Sequence, residues 1–206
     1  MTLPNGRDLL LAGQKSGIVY ALDPDKKGEI VWQTRVGKGS TNGGVQWGMS
    51  TDGQLVYAAV SDPGQTRQTS QFDPRRFILD PKAGGGLTAL RTADGSRAWY
   101  AAPKPCADNA PVGCSPSQPG AVTSIPGAVF ASSVDGHIRA YSTEDGAVIW
   151  DFNTAREFET INQVKAHGGS IDGPGAVVVK GMVFVTSGYP RNGGMTGNVL
   201  LAFEPE

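Results

Sequence analysis

The chain has no excess of charge of one sign, no long hydrophobic run and very few cysteines. Its 18 basic and 19 acidic residues leave it nearly neutral, so no basic stripe is available for phosphates and we expect no nucleic-acid partner. No apolar run approaches the roughly 20 residues that a membrane helix needs, which predicts no membrane span. No basic segment followed by an apolar core is visible at the start, so we identify no signal peptide in this chain.

The only two cysteines, Cys106 and Cys114, lie in the segment KPCADNAPVGCSPSQPG. Their spacing matches neither a CxxC redox pair nor a haem-attachment motif. Two cysteines that close a small Pro-rich loop favour a local disulfide and hence an oxidising compartment. The alternative is two free thiols. A catalytic or metal-binding role is disfavoured because no histidine lies in the same loop.

Helical periodicity is almost absent, whereas short alternating or β-branched runs recur between turn residues. The 29 Gly and 14 Pro residues are typical of a turn-rich protein. The segment 120–152 shows the pattern best, because tight turns separate the runs GAVTSI, AVFASS, HIRAYS and AVIWDF. Four such strands form a meander of the kind that makes one β-propeller blade. We number the strands of a blade from first to fourth, starting at the propeller axis.

The same order of strands fits the rest of the chain. It predicts blades at approximately 8–36, 45–102, 120–152 and 175–204, of which the first begins at its second strand and the last ends at its third. The predicted fold is therefore an all-β propeller of four-stranded antiparallel blades. About three and a half blades are present, roughly the C-terminal half of a ring of about eight.

An Ala, a turn Gly and a Trp repeat at nearly constant spacing in these blades. Ala140 lies in a third strand, Gly146 in the turn that follows, and Trp150 four residues further on. Trp32 and Trp99 take the same position in their blades. A Trp on the outermost strand can lie flat against the neighbouring blade, where the small Ala leaves room for it. We interpret these three tryptophans as structural residues.

This pattern resembles the tryptophan-docking repeat of the quinoprotein alcohol dehydrogenases, which are β-propellers that bind pyrroloquinoline quinone. The resemblance covers essentially the whole chain, and the stretches LLLAGQKSGIVYALDP, GGVQWG, HGGSIDGPG and GNVLLAF are similar to the polyvinyl-alcohol dehydrogenase branch. It implies that a secondary alcohol or polymer is oxidised with transfer of electrons to the quinone, in the periplasm or outside the cell. It also implies a calcium ion beside the quinone and a cytochrome c as a candidate electron acceptor.

Parts of the family pattern are missing from the sequence. We find no acidic and amide set that matches the calcium site, no pair of adjacent cysteines and no haem-attachment motif. The alternative function is therefore a non-catalytic propeller scaffold for protein partners, like the outer-membrane assembly lipoprotein that has the same repeats.

Long loops gather on one predicted face of the blades, which makes that face the candidate site. These loops span residues 62–85, 103–119, 153–174 and 189–198. Gln46 and Trp47, in the junction GSTNGGVQWG, stand at the start of an innermost strand beside the axis. Trp47 falls outside the repeat, and it either stacks on a planar quinone or packs in the core.

A second junction, INQVKAHGGSIDGPG, precedes another innermost strand and carries Asn162, Lys165, His167 and Asp172. A quinone has carbonyls and carboxylates that bind donors, and a carboxylate can accept the proton of an alcohol. Asp172 is the predicted catalytic base. The predicted cofactor-binding residues are Gln46, Trp47, Asn162, Lys165 and His167. The alternative is that Asp172 only forms a turn and that Lys165 is a solvated charge.

Overall fold

In the computed structural model, residues 1–3, 6–67, 77–191 and 193–205 are described. Almost every regular element among them is a β-strand, as the alternating runs and frequent turn glycines predict. One turn of 3-10 helix at Pro24–Lys26 is the helical exception in the described ranges. None of the described segments forms a helix long and apolar enough to cross a membrane. The predicted all-β fold class is confirmed.

Four antiparallel sheets follow one another, and we call them blades 1 to 4 in chain order. Blade 1 consists of β1 (Leu10–Gly13), β2 (Ile18–Asp23) and β3 (Glu29–Arg35). Blade 2 begins with β4 (Ser50–Thr51) and β5 (Leu55–Val60). A separate pair in the following loop consists of β6 (Gln65–Arg67) and β7 (Phe77–Leu79). Blade 2 then ends with β8 (Gly86–Arg91) and β9 (Arg97–Ala101).

Blade 3 consists of β10 (Thr123–Ile125), β11 (Ala128–Ser132), β12 (His137–Ser142) and β13 (Val148–Asn153). A second loop pair consists of β14 (Glu157–Phe158) and β15 (Ala166–His167). Blade 4 consists of β16 (Val177–Val179), β17 (Met182–Ser187) and β18 (Val199–Phe203). The buried hydrophobic side chains form three clusters, one at each junction between successive blades.

The innermost strands are shorter than predicted, because the residues before them bond to neighbouring blades. In the predicted strand 45–50, the Val45 N–H donates to the Gln14 carbonyl of blade 1 at 3.1 Å. The Gly48 carbonyl accepts from the Val122 N–H, which precedes blade 3, at 3.0 Å. These groups are therefore unavailable to the ladder of blade 2, and they link the blades around the axis instead.

The repeated tryptophans pack across the junctions between blades. Trp32 lies on Gly95 of blade 2, so closely that a Cβ atom added to this glycine would lie 2.5 Å from the indole ring. The Trp32 indole N–H donates to the Thr92 carbonyl of the same turn at 2.9 Å. Trp99 packs on Gly146 of blade 3 in the same way, and its N–H donates to a carbonyl of that turn at 2.9 Å. A turn glycine thus receives the tryptophan of the preceding blade.

The repeated alanine does not lie where the sequence interpretation placed it. Ala21 is the cross-strand neighbour of Trp32 in the same blade, so the turn glycine, and not the alanine, makes room across the junction. The strand register shifts directly after the Ala–Trp pair in blades 1, 2 and 3. This recurring β-bulge accounts for the nearly constant spacing. Trp150 packs on Phe203 of blade 4 with ring centroids 5.1 Å apart.

Two of the predicted long loops contain a short pair of antiparallel strands. The loop 62–85 contains β6 and β7, although its residues 68–76 lie outside the described part of the chain. The loop 153–174 contains β14 and β15. Such short pairs satisfy backbone polar groups that a long irregular loop would leave to solvent.

Candidate functional site

A cavity of about 170 Å³ opens on the face that carries the long loops. Its wall combines residues that precede the innermost strands of blades 2, 3 and 4 with residues of the long loops. Its lining includes the polar or aromatic side chains of Lys15, Asn42, Gln46, Trp47, Asp172 and Arg191. The cavity therefore brings together segments that are more than 100 residues apart in the chain.

Trp47 presents its indole to this cavity, and 48% of the residue is exposed. The guanidinium carbon of Arg191 lies 5.4 Å from the centroid of the Trp47 ring, a cation–π distance. A second cavity of about 280 Å³ shares Trp47, Asp172 and Arg191 with the first. Trp47 therefore belongs to a cavity wall, and of the two interpretations of this residue, core packing does not describe its position.

Gln46 lies beside Trp47 and turns back to its own loop, because its side-chain amide donates to the Gly43 carbonyl. It lines the cavity from that position. Its contact with Gly43 fixes the loop that leads to Trp47, so Gln46 has a local structural partner as well as a place in the wall.

The Asp172 carboxylate reaches the same cavity between blades 3 and 4. It accepts the backbone N–H of Arg191 at 3.0 Å, which ties the loop 189–198 to the start of blade 4. Burial raises the pKa of the Asp172 carboxyl above its ordinary value of 3.8, while the N–H and the positive charge of Arg191 oppose this rise. A carboxylate with a raised pKa is closer to the range that suits a general base.

The rest of the wall is polar. The Asn42 amide donates to the Gln65 side-chain oxygen at 3.2 Å, and the buried hydroxyls of Ser61 and Ser117 lie 2.9 Å apart. Lys15 is a second cationic residue in the lining of this cavity. An exposed indole, two cations and several neutral donors are a set that matches a planar ligand with carboxylate groups.

Three of the predicted cofactor-binding residues do not join this cavity. His167 is paired with Glu157 in the β14–β15 hairpin, and its backbone N–H donates to the Asn198 side-chain oxygen at 3.0 Å. Asn162 accepts from Thr160 at 2.6 Å within the hairpin tip. Lys165 and His167 line a different depression on the surface. The structure thus separates Asn162, Lys165 and His167 from Asp172, although the sequence grouped them.

Arg191 and Lys15 are cavity residues that the sequence interpretation missed. Arg191 lies in the loop 189–198, which was predicted to face the site, and a lone cation among the glycines of that loop was the available signal. Lys15 lies in the short turn between β1 and β2. A turn of this length gives no sequence signal that its lysine reaches a cavity formed mainly by other blades.

The described residues fit the two implied cofactors unequally. The donors around Trp47 suit a planar group with carboxylates, as set out above. For calcium, no group of three or more His, Cys, Asp and Glu side chains placed to hold a metal occurs within the described ranges. The described ranges therefore offer no cluster of carboxylates for calcium, an ion that binds oxygen ligands.

The predicted disulfide between Cys106 and Cys114 is present. It closes the segment 106–114 within the loop 103–119, which also packs on the loop 189–198. A Cβ atom added to Gly113 would lie 2.8 Å from the Gly193 carbonyl oxygen, so the two backbones are in close contact. The disulfide loop therefore supports the segment that carries Arg191.

The sequence is similar to curated proteins named polyvinylalcohol dehydrogenase. One from Pseudomonas sp. is 44% identical over 214 residues, which cover 98% of this chain and 31% of that protein. A second, from Sphingopyxis sp. strain 113P3, is 37% identical over 98% of this chain and 31% of its own length. The chain is homologous to a segment of these dehydrogenases. The resemblance predicted from the sequence is confirmed, and the chain spans about a third of the length of these relatives. No protein-family model matches the chain.

Solved structures support the propeller fold. The quinohemoprotein alcohol dehydrogenase from Comamonas testosteroni superposes with a TM-score of 0.57 at 15% identity, over 87% of this chain and 28% of that one. BamB from Moraxella catarrhalis gives a TM-score of 0.55 at 17% identity, over 98% of this chain and 48% of that one. At such identities the likeness concerns the fold alone.

Proposed function

We propose that this chain forms part of a quinoprotein alcohol dehydrogenase of the polyvinyl-alcohol dehydrogenase type, and that it supplies one wall of the quinone site. The observation that carries the proposal is that Trp47 and Asp172, which precede innermost strands, meet Arg191 of the loop 189–198 in one cavity. The homology to the polyvinylalcohol dehydrogenases agrees with it. The substrate under this proposal is a secondary alcohol, alone or in a polymer.

In this proposal the side chains of the cavity have distinct tasks. Trp47 stacks on the flat ring system of pyrroloquinoline quinone, and the cations of Arg191 and Lys15 pair with its carboxylates. Asp172 accepts the hydroxyl proton of the alcohol, as a general base. When bound, the quinone accepts the two electrons that the alcohol carbon gives up. We assign no step to calcium, because the described ranges contain no group of three or more His, Cys, Asp and Glu side chains placed to hold it.

The same proposal includes a cellular compartment and an electron acceptor. The disulfide favours an oxidising compartment, which agrees with a periplasmic or secreted protein. A cytochrome c is the proposed electron acceptor, and this part of the proposal depends on family resemblance alone.

The second candidate is a non-catalytic propeller that binds protein partners. Two observations favour it: the fold similarity to BamB, and the lack of an acidic metal-binding group in the described ranges. A scaffold of this kind has no need for an exposed indole, two cations and a half-buried carboxylate in one cavity, so we place it second.

Quinone binding separates the two candidates. We expect pyrroloquinoline quinone to quench the tryptophan fluorescence of the purified protein saturably. Trp47→Ala is expected to weaken binding roughly 5- to 150-fold, the range for loss of one aromatic stacking contact. Tyr100→Ala is the matched control, because Tyr100 is 45% exposed but lies on an outer strand, and we expect no change in affinity.

Activity is then tested with the quinone-loaded protein by reduction of an artificial dye with polyvinyl alcohol or small secondary alcohols. Saturable binding and alcohol-dependent reduction support the dehydrogenase. Absence of saturable quinone binding, with and without added calcium, contradicts it and favours the scaffold.

A further inference from the structure

We propose that Asp62 is a positioning residue for the candidate site. Its carboxylate holds the loop 37–44 in the shape that presents Asn42 and Trp47 to the cavity. The inference rests on the proposed function for its meaning, but the placement of Trp47 can be measured without any cofactor.

The Asp62 carboxylate accepts three backbone N–H groups from one short loop. One carboxylate oxygen, Oδ2, accepts from Lys38 at 2.6 Å. The other, Oδ1, accepts from Gly39 at 3.0 Å and from Gly44 at 2.7 Å. Hydrogen bonds to a charged acceptor are stronger than those between neutral groups. A single side chain of blade 2 therefore fixes both ends of the connection that arrives from blade 1.

The loop has glycines where the carboxylate approaches. A Cβ atom added to Gly43 would lie 2.6 Å from Oδ1, and one added to Gly37 would lie 2.6 Å from Oδ2. Larger residues at these positions would push the carboxylate away. The segment GKGSTNGG matches no phosphate-binding motif. Its glycines instead leave space for the carboxylate of Asp62.

Asp62 itself has a backbone conformation that most residues avoid. Its φ is 37°, in the left-handed region that aspartate and asparagine enter more readily than other non-glycine residues. This turn directly follows β5 and Ser61, a residue of the cavity wall. In this conformation the Asp62 carboxylate bonds to the loop 37–44. An unfavourable backbone angle thus occurs next to the cavity wall.

The same loop is held from the other side by blade 1. The Ser40 N–H donates to the Lys15 carbonyl at 3.0 Å, and the Val45 N–H donates to the Gln14 carbonyl at 3.1 Å. Lys15 and Asn42 line the cavity, and Trp47 follows two residues after Val45. Without the Asp62 anchor, Lys38 and Gly39 lose their bonds to blade 2. The loop then keeps its bonds to blade 1, the bond from the Ser61 N–H to the Gly44 carbonyl at 2.9 Å and the Asn42–Gln65 contact, so the spacing between Lys15, Asn42 and Trp47 is less firmly fixed.

Asp62→Asn tests the charge without changing the backbone preference, since asparagine also tolerates a positive φ. Asp62→Glu keeps the charge and serves as the conservative rescue.

Asp52→Asn is the matched control. Asp52 lies in the same blade, and its carboxylate also accepts two backbone N–H groups, from Gln54 and Leu55, but it lies in the turn between β4 and β5 on the opposite face. Circular dichroism and a cooperative melt verify the fold of each variant.

The first readout is the fluorescence of Trp47, obtained as the difference between each protein and the same protein with Trp47→Phe. For Asp62→Asn we expect a red-shifted Trp47 emission and a higher acrylamide quenching constant, with partial return in Asp62→Glu. Asp52→Asn is expected to match the parent. An Asp62→Asn protein whose Trp47 signal equals that of the parent overturns the proposal.

The second readout is the affinity for pyrroloquinoline quinone. We expect Asp62→Asn to weaken it by at least about tenfold, because hydrogen bonds to a charged group are lost, and Asp52→Asn to leave it within about twofold. A changed Trp47 signal with unchanged affinity makes Asp62 merely structural and overturns its role in the site. If the parent does not bind the quinone, the proposed function fails, and the placement of Trp47 by Asp62 is decided by fluorescence alone.

Discussion

The four tryptophans of the chain occupy two kinds of environment. Trp32 and Trp99 are buried and give their indole N–H groups to carbonyls of the next blade, and Trp150 packs among phenylalanines. Trp47 is half exposed and faces a cavity, with a cation over its ring. The third-strand alanine distinguishes the two kinds in the sequence. Trp47 also stands four residues after a glycine, Gly43, but no alanine lies 10 or 11 residues before it.

Titration of Asp172 makes the stability of the folded protein depend on pH. Burial raises the pKa of this carboxyl in the folded protein, so the folded state holds the proton more tightly than the unfolded chain. The stabilisation from this proton is complete below the unfolded pKa, near 3.8, and is lost as the pH rises through the raised folded pKa. We therefore expect Asp172→Asn to gain stability over the parent as the pH rises from about 3.8 towards 7.

Urea unfolding of the parent and Asp172→Asn across this range measures the effect. Asp145→Asn is the control of opposite sign, because backbone and side-chain hydrogen bonds lower the pKa of Asp145. Its substitution is expected to cost stability above the ordinary pKa of 3.8 and to cost nothing at lower pH. A stability difference between the parent and Asp172→Asn that does not change with pH contradicts the partial burial of the Asp172 carboxyl.

At the scale of the element, the turn between the third and fourth strands is the receptor for the preceding blade. Gly28, Gly95 and Gly146 all have a positive φ, but only the last two receive a tryptophan among the described residues. The sequence repeat revealed the glycines and tryptophans, and it could not reveal which glycine meets which tryptophan. That pairing depends on the order of blades around the axis, which no local pattern contains.

The difference between these glycines is measurable. Gly95→Ala places a methyl group 2.5 Å from the Trp32 ring, whereas Gly28→Ala meets nothing within 4 Å. Both substitutions cost roughly 1–2 kcal/mol for a left-handed backbone. We expect Gly95→Ala to cost about 1–3 kcal/mol more, the range for overpacking a well-packed site. Chemical unfolding of both variants gives the comparison, and equal losses of stability would contradict the docking contact.

At the scale of the whole molecule, the sequence predicted the blades and the face of the site better than the site itself. The period of strands and turns is local, so the four sheets follow from it. The short innermost strands, the bonds from Val45 to Gln14 and from Val122 to Gly48, and the hairpin that removes His167 from the cavity depend on contacts between blades. Gln46, Trp47 and Asp172 line the cavity, and the sequence pointed to them because they stand just before predicted innermost strands; their roles stay predictions. The ring of about eight blades stays a prediction.

Under the proposed function, Trp47, Asp172 and Arg191 form a wall of a quinone site. A crystal structure of the purified protein with pyrroloquinoline quinone tests it most directly. We predict electron density for the quinone with its ring plane against the Trp47 indole and a carboxylate within hydrogen-bond distance of Arg191 or Lys15. Density at another place, or a quinone that binds without contacting Trp47, would contradict the proposed quinone site.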